Sequence, residues 1–388
     1  MMLGFLLARA GVDVIVLEKH ADFLRDFRGD TIHPSTLEII YELGLIEEFL
    51  KRPHQEIREV GGQIGDEFIP LADLTHLPTH CKFLGFMPQW DFLDFIKDEA
   101  ERYPAFHLMM EAEVTELIEE GNIVAGVRAK TPDREIEVRS TLVVGADGRS
   151  SIVRERAGLK VESLGAPIDV LWFRMSRKQS DPGQVLGRFI PGKILVMLNR
   201  DEYWQCAFVI RKGAFDEIKR RGMEAFRNDI ISIAPFLKDR VDELHDWEPI
   251  RLLTVRVDRL RKWYRPGILC IGDAAHAMSP VGGVGINLAI QDAVASANLL
   301  AVKLRRGRVT EDELDAVRRR RLWPTRATQA MQVAIQNNVL VPVISGANAD
   351  LQVPLPMRIV TAVPALQRLL ARFVGMGVRP EHVRSPAV

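Results

Sequence analysis

PGILCIGDAAHAMSPVGGVGINLAIQDA, residues 266–293, sets one carboxylate and a cluster of glycines between an apolar strand and a helix. Ile268-Leu269-Cys270-Ile271 has the length and apolarity of a strand buried on both faces of an α/β sheet. Asp273 follows at the carboxyl end of that strand, where ligands of such sheets collect. An ionised carboxylate only accepts hydrogen bonds, so it suits the hydroxyls of a polyol or ribose better than a phosphate. Beyond Pro280, the glycines at 282, 283 and 285 allow positive φ and let a flat ligand approach the backbone. Ile286-Asn287-Leu288-Ala289-Ile290 then reads as a helix start whose free N–H groups and positive dipole end face the same place. A ring that becomes anionic on reduction would be stabilised there. A plain glycine-rich turn between two core elements does not account for the coincidence of Asp273 with three glycines.

Outward from this segment, composition sets the limits. The chain has 388 residues, 47% hydrophobic and 27% charged, which is ordinary globular usage. Its formal net charge is +0, so no overall attraction to nucleic acid or an anionic membrane is expected. Cys81, Cys206 and Cys270 stand far apart, without a CxxC pair, which fits a reducing, cytoplasmic setting and no metal site. Neither the apolar start at 1–10 nor any other stretch reads as a transmembrane segment. The arginines at 318–321 read as a solvated helix balanced by the nearby acids at 311–315.

Three further stretches point toward the same ligand. Residues 2–10 read as a helix closed by Gly11, and Val12 to Leu17 as a strand ending at Glu18, placed for the hydroxyls of an adenosine ribose. This is the second half of a βαβ dinucleotide unit; its first half, a strand and a GxGxxG turn, does not precede it in the sequence, as in an N-terminally truncated unit. Residues 142–151, LVVGADGRSS, run another strand into a glycine-flanked acid, Asp147, with a helix from Ile152. Met87-Pro88-Gln89-Trp90 opens an amphipathic helix through Phe92, Phe95 and Ile96, leaving Gln89 near its N-terminus to bond outward.

In this order, the three motifs at Glu18, 145–151 and 272–293 resemble the class A flavoprotein monooxygenases, the aromatic hydroxylase family that includes para-hydroxybenzoate hydroxylase. The resemblance implies FAD as cofactor. By it, Asp273 would bind the ribityl chain, Gly285, Ile286 and Asn287 would hold the pyrimidine edge of the isoalloxazine, and Pro280 and Gly283 would belong to the same cofactor site. Glu18 would take the adenosine ribose, Arg28 and Gln89 would contact FAD, and Asp147 would serve both FAD and the nicotinamide co-substrate. It further implies that NAD(P)H reduces the flavin, that O2 adds to the reduced ring as a hydroperoxide, and that one oxygen passes to an aromatic or otherwise hydrophobic small molecule.

The pattern between motifs predicts an α/β architecture. A Rossmann-like cofactor domain is expected from 1–55, 86–160 and 251–330, and a substrate domain built on an antiparallel sheet from 56–85 and 161–250. Short strands between 106 and 144, with a hairpin turn at Glu120-Gly121-Asn122, lead back to the main sheet. Residues 331–388 are expected as a helical cover. Substrate contacts are expected from Trp172, Arg174, Phe189, Met197, Trp204 and Phe208 on the second sheet, of which strand alternation turns about half away. His33 and His276 read as packed structural histidines, and no general base stands out. A flavin-dependent halogenase, a prenyl-chain reductase and a cofactor-free binding protein stay open as alternatives, as do monomer and homodimer.

Overall fold

The computed structural model describes residues 1–24, 31–65, 67–183, 187–346, 358 and 361–388. The helix Met2–Arg9 buries Phe5, Leu6 and Leu7. Gly11, at φ +72, turns the chain into the strand Val14–Leu17, which pairs in parallel with Phe106–Met109. A second parallel ladder joins Val143–Gly145 to Ile268–Cys270, with Tyr264–Arg265 antiparallel on its far side. One apolar core joins both ladders to the helices Met2–Arg9, Gln89–Ala100 and Gly285–Leu304. This is the layered α/β unit read from the sequence. The strands Glu113–Glu120, Ile123–Lys130 and Glu135–Arg139 form the expected three-stranded antiparallel excursion, turning at Gly121 with φ +62.

The second sheet has seven strands. Arg251–Leu253, Ile168–Ser176, Tyr203–Arg211, Lys193–Asn199 and Arg188–Ile190 run antiparallel in that order, and Glu59–Ile64 with Glu67–Asp73 extend it. Gln55–Ile57 and Leu84–Phe86 instead pair with each other and with Thr31–Ile32 in a small separate sheet. The segment contributed to the large sheet is therefore shorter than 56–85. One face of the large sheet packs on the helices Phe215–Arg221 and Met223–Ile233.

Two long helices close the chain's core. Gly285–Leu304 is buried around most of its circumference, which makes Val281–Leu304 apolar enough to cross a membrane by length and composition; 72% of its most apolar window is inside the molecule. The expectation that no stretch would pass that test is corrected on this ground: a helix surrounded by core is apolar all round. Glu311–Ile335 starts with a Thr310/Glu313 capping box and continues as a π-helical turn, Gln336–Leu340, into Val341–Ile344. The arginine run is a second correction. Arg318 and Arg319 pair with Asp315, but Arg321 is wholly buried, bonded to Asp292 and Glu381. Pro364–Met376 lies against Glu67–Asp73 and Pro34–Glu42, and the tail returns to the first helix, where Arg9 donates to the carbonyl of Ser385.

Candidate active site

The strands 143–145 and 268–270 are parallel neighbours, so their carboxyl ends, and the two acids that follow them, come out side by side. Ile271 N–H donates to the Gly145 carbonyl at 2.9 Å and prolongs the pairing by one bond. Asp147 then turns back on its own helix, accepting from Val153 N at 3.1 Å and from the Ser151 hydroxyl, so its carboxylate caps the helix Ile152–Arg156. Arg154 straps the two loops together, donating to the carbonyls of Arg149 at 2.8 Å and Ala274 at 3.3 Å. The sequence carries a clue to Arg154 only in its place within the first turn of the helix that follows the Asp-Gly.

Asp273 sits half-buried in the single turn Gly272–Ala274. Asp292, fully buried, holds that turn against the 285–304 helix: it accepts from Gly272 N at 3.0 Å, from His276 Nε2 at 2.6 Å and from Arg321 Nε at 2.9 Å. Burial pushes the Asp292 carboxyl up, but His276 and Arg321 outweigh it and hold the group below the usual carboxylate range. His276, 1% exposed and packed on Trp263, is a structural histidine. Gly272 has φ +58, and a Cβ there would stand 2.9 Å from Ala289 Cβ, so the turn fits against the helix only with glycine.

Beyond Pro280, positive φ is found at Gly282 and Gly283 but not at Gly285, which already belongs to the helix. A Cβ on Gly283 would meet Thr31 Oγ1 at 2.8 Å. Asn287 uses its whole carboxamide within the protein. Its Oδ1 accepts from His33 N at 2.9 Å and Thr36 Oγ1 at 2.7 Å, and its Nδ2 donates to the carbonyls of Thr31 and Gly283. The side chain fixes the loop, and Gly285, Ile286 and Asn287 form the first turn of the helix, where backbone N–H groups have no acceptor a turn earlier. Gln89 is the first residue of its helix, after Pro88, and is half-buried. Glu18 ends the strand 14–17, its own N–H donating to Met109 O and its Oε1 accepting from His20 N. Arg28 lies outside the described residues.

The large sheet divides the six substrate candidates by alternation. Met197, Trp204 and Phe208 lie in the core shared with the 223–233 helix, which removes them from the ring-facing set. Trp172 and Phe189 lie on the other face with Val196 and Leu253. That face is covered by Val281, Ile335 and Val339, so the glycine loop and the sheet meet across an apolar contact. Arg174 is exposed, its guanidinium 4.8 Å from the centre of the Tyr203 ring. Val281, Ile335 and Val339 escaped the sequence reading because nothing local marks a residue tens to more than a hundred positions away from a strand as its neighbour.

A family profile describing the FAD binding domain matches residues 1–334. The chain is 30% identical over 385 residues, 99% of its own length and 91% of the relative, to 6-methylpretetramide 4-monooxygenase of Streptomyces rimosus. The chain belongs to the FAD-binding monooxygenase family. Two solved structures share the fold. OxyS anhydrotetracycline hydroxylase of Streptomyces rimosus has a TM-score of 0.73 at 22% identity, covering 98% of this chain and 74% of that one. PqsL of Pseudomonas aeruginosa, described as a probable FAD-dependent monooxygenase, has a TM-score of 0.73 at 20% identity, covering 89% and 95%. This member of the family is an FAD-dependent oxidoreductase, and the chemistry of its residues suits the flavin part of such a cofactor: a carboxylate that accepts from polyol hydroxyls, helix-start N–H groups without an intrahelical acceptor, and a loop whose glycines keep side chains out of the way. Among the described residues no cluster of His, Cys, Asp or Glu suits a metal ion.

Proposed function

We propose that the chain hydroxylates an aromatic, ring-fused hydrophobic molecule using O2 and NAD(P)H, with Asp273 and the backbone of 283–287 holding FAD and Glu18 its ribose. The observation that carries this reading is the junction at Val281. The loop that would carry the ring edge is the same loop that seals the apolar inner face of the seven-stranded sheet. Bound FAD supplies the chemistry with O2 that no side chain can perform. The protein's own groups orient and exclude water: Trp172, Phe189, Val196 and Leu253 offer a largely apolar wall, and the first-turn N–H groups of the 285–304 helix stabilise negative charge on a ligand placed before them. No described side chain is assigned as general base. Relatives named for 6-methylpretetramide and anhydrotetracycline support a polycyclic substrate class.

The test is to supply the purified chain with FAD, NADPH or NADH, and 6-methylpretetramide under 18O2. One labelled oxygen in the product, with reductant oxidation stimulated by the substrate, is expected; a product without label refutes hydroxylation. Asp273→Ala should release FAD on gel filtration, and retention equal to the parent's refutes the assignment of that carboxylate.

A further inference from the structure

The helix 311–335 carries Gln329 and Gln332 and passes into the π-helical turn at Gln336, so three glutamines repeat at i, i+3 and i+7 on one face. All three are completely buried. Three neutral amides inside a core are a cost unless each bond is made. Most of theirs are made to one loop. Gln329 Nε2 donates to the carbonyls of Ala277 at 3.1 Å and Asp258 at 2.8 Å. Gln332 Oε1 accepts from Ser279 N at 3.1 Å while its Nε2 donates to the carbonyls of Ser279 and Val281, each at 2.9 Å, so the side chain pairs with the loop as a neighbouring strand would. Gln336 Nε2 donates to the Ser279 hydroxyl, whose Oγ in turn accepts from Val281 N.

The same helical rod then presents Val339, Leu340 and Val343 to the inner face of the large sheet. A π-turn adds a residue to the helical turn and so re-aims the side chains beyond it; such turns recur at functional sites. The glutamine face therefore grips the loop just before Gly282-Gly283, and the residues after it grip the sheet.

The geometry points to Gln329, Gln332 and Gln336 as positioning residues that set the register of the 277–281 loop, and with it the distance between the flavin ring edge and the substrate face. This rests on the function proposed above. Asp292 holds the loop's start through Gly272 N and His276, independently of the ladder, so loosening the ladder separates holding the cofactor from delivering oxygen. Neither Met nor Glu can replace Gln332: Met bonds nothing, and Glu cannot donate to two carbonyls.

The experiment compares Gln332→Met, Gln332→Glu and the milder Ser279→Ala with the parent chain, with and without FAD. Loss of a buried bond should speed amide hydrogen exchange at 279–284 by about tenfold while leaving 268–274 unchanged. The visible spectrum of bound flavin should change while FAD affinity stays within about threefold. Reductant oxidation should continue with less hydroxylated product and more hydrogen peroxide. Unchanged exchange, spectrum and product ratio in Ser279→Ala and Gln332→Met overturns the proposal, as does faster exchange spread evenly over 268–304, which would make the ladder a fold element only. If the parent hydroxylates nothing, the proposed function fails, and the exchange and spectral readouts still decide the ladder.

Discussion

At the scale of single residues, His33 shows how a side chain that reads as structural acquires a measurable consequence. It is 1% exposed, its Nδ1 donates to the Val374 carbonyl at 2.7 Å, and its backbone N–H is held by Asn287. Burial lowers its pKa from 6.5 to about 4, with the carbonyls of Val374, Gly282 and Gly283 resisting the shift. Because the folded value lies below the unfolded one, the unfolded chain binds the extra proton between them. This group's contribution is complete above pH 6.5 and is lost as pH falls toward 4, by on the order of 3 kcal/mol in all. Urea unfolding of the parent across that window should show the slope, and His33→Gln should flatten it; an equal slope in the variant refutes the assignment. The acids were easier to place from sequence than their duties. Asp273 and Asp147 both follow strands, but Asp147 spends its carboxylate on its own helix, a use set by Ser151 and Val153 folding back over it.

At the scale of elements, the large sheet separates packing from recognition. Its strands were legible from apolar runs, and two of its hairpin turns carry positive φ at Gly192 and Asp201. Which face met the glycine loop was not legible, because both faces are apolar and alternation is symmetric until a neighbour is known. The structure predicts a division of phenotype. Trp172→Ala should raise KM for the aromatic substrate by about tenfold with little change in FAD affinity. Phe208→Leu, on the opposite face in edge contact with Phe226, should leave KM unchanged and cost about 1–2 kcal/mol of stability. Steady-state kinetics beside urea melts decide it, and a KM effect from Phe208→Leu would overturn the facing assigned to the sheet.

At the scale of the whole molecule, Arg321 ties three distant parts of the chain together. It bonds Asp292 in the 285–304 helix and Glu381 in the tail, with Arg379 O as a further acceptor. Arg320 adds a two-pronged bond to the same Glu381. Removing one member of a buried ion cluster leaves the others unpaired, so Arg321→Met should destabilise by about 3–5 kcal/mol. Arg319→Met, at an exposed pair, should cost no more than about 0.5 kcal/mol. Denaturant unfolding reads both, and similar small losses would mean that the cluster is not coupled. The arginine run looked solvated because four consecutive positions surround a helix; which of them turns inward depends on the partner helix, and local charge balance carries no trace of that.

The sequence by itself determined the strands and helices around the three motifs, the placing of Asp273 and the glycine loop between strand 268–270 and helix 285–304, and the resemblance to the flavin family; the helices Phe215–Arg221 and Met223–Ile233, inside the stretch read as an antiparallel sheet, it did not. What it did determine rests on local causes: apolar period, turn residues and backbone freedom act within a few positions. Tertiary structure alone decided which sheet face meets Val281, that Asn287 spends its side chain inside the protein, that Arg321 is buried with Asp292 and Glu381, and that three buried glutamines bond the 277–281 loop. Each of those depends on a partner tens to hundreds of residues away, and a buried polar group reveals its role only when the group it satisfies is in place.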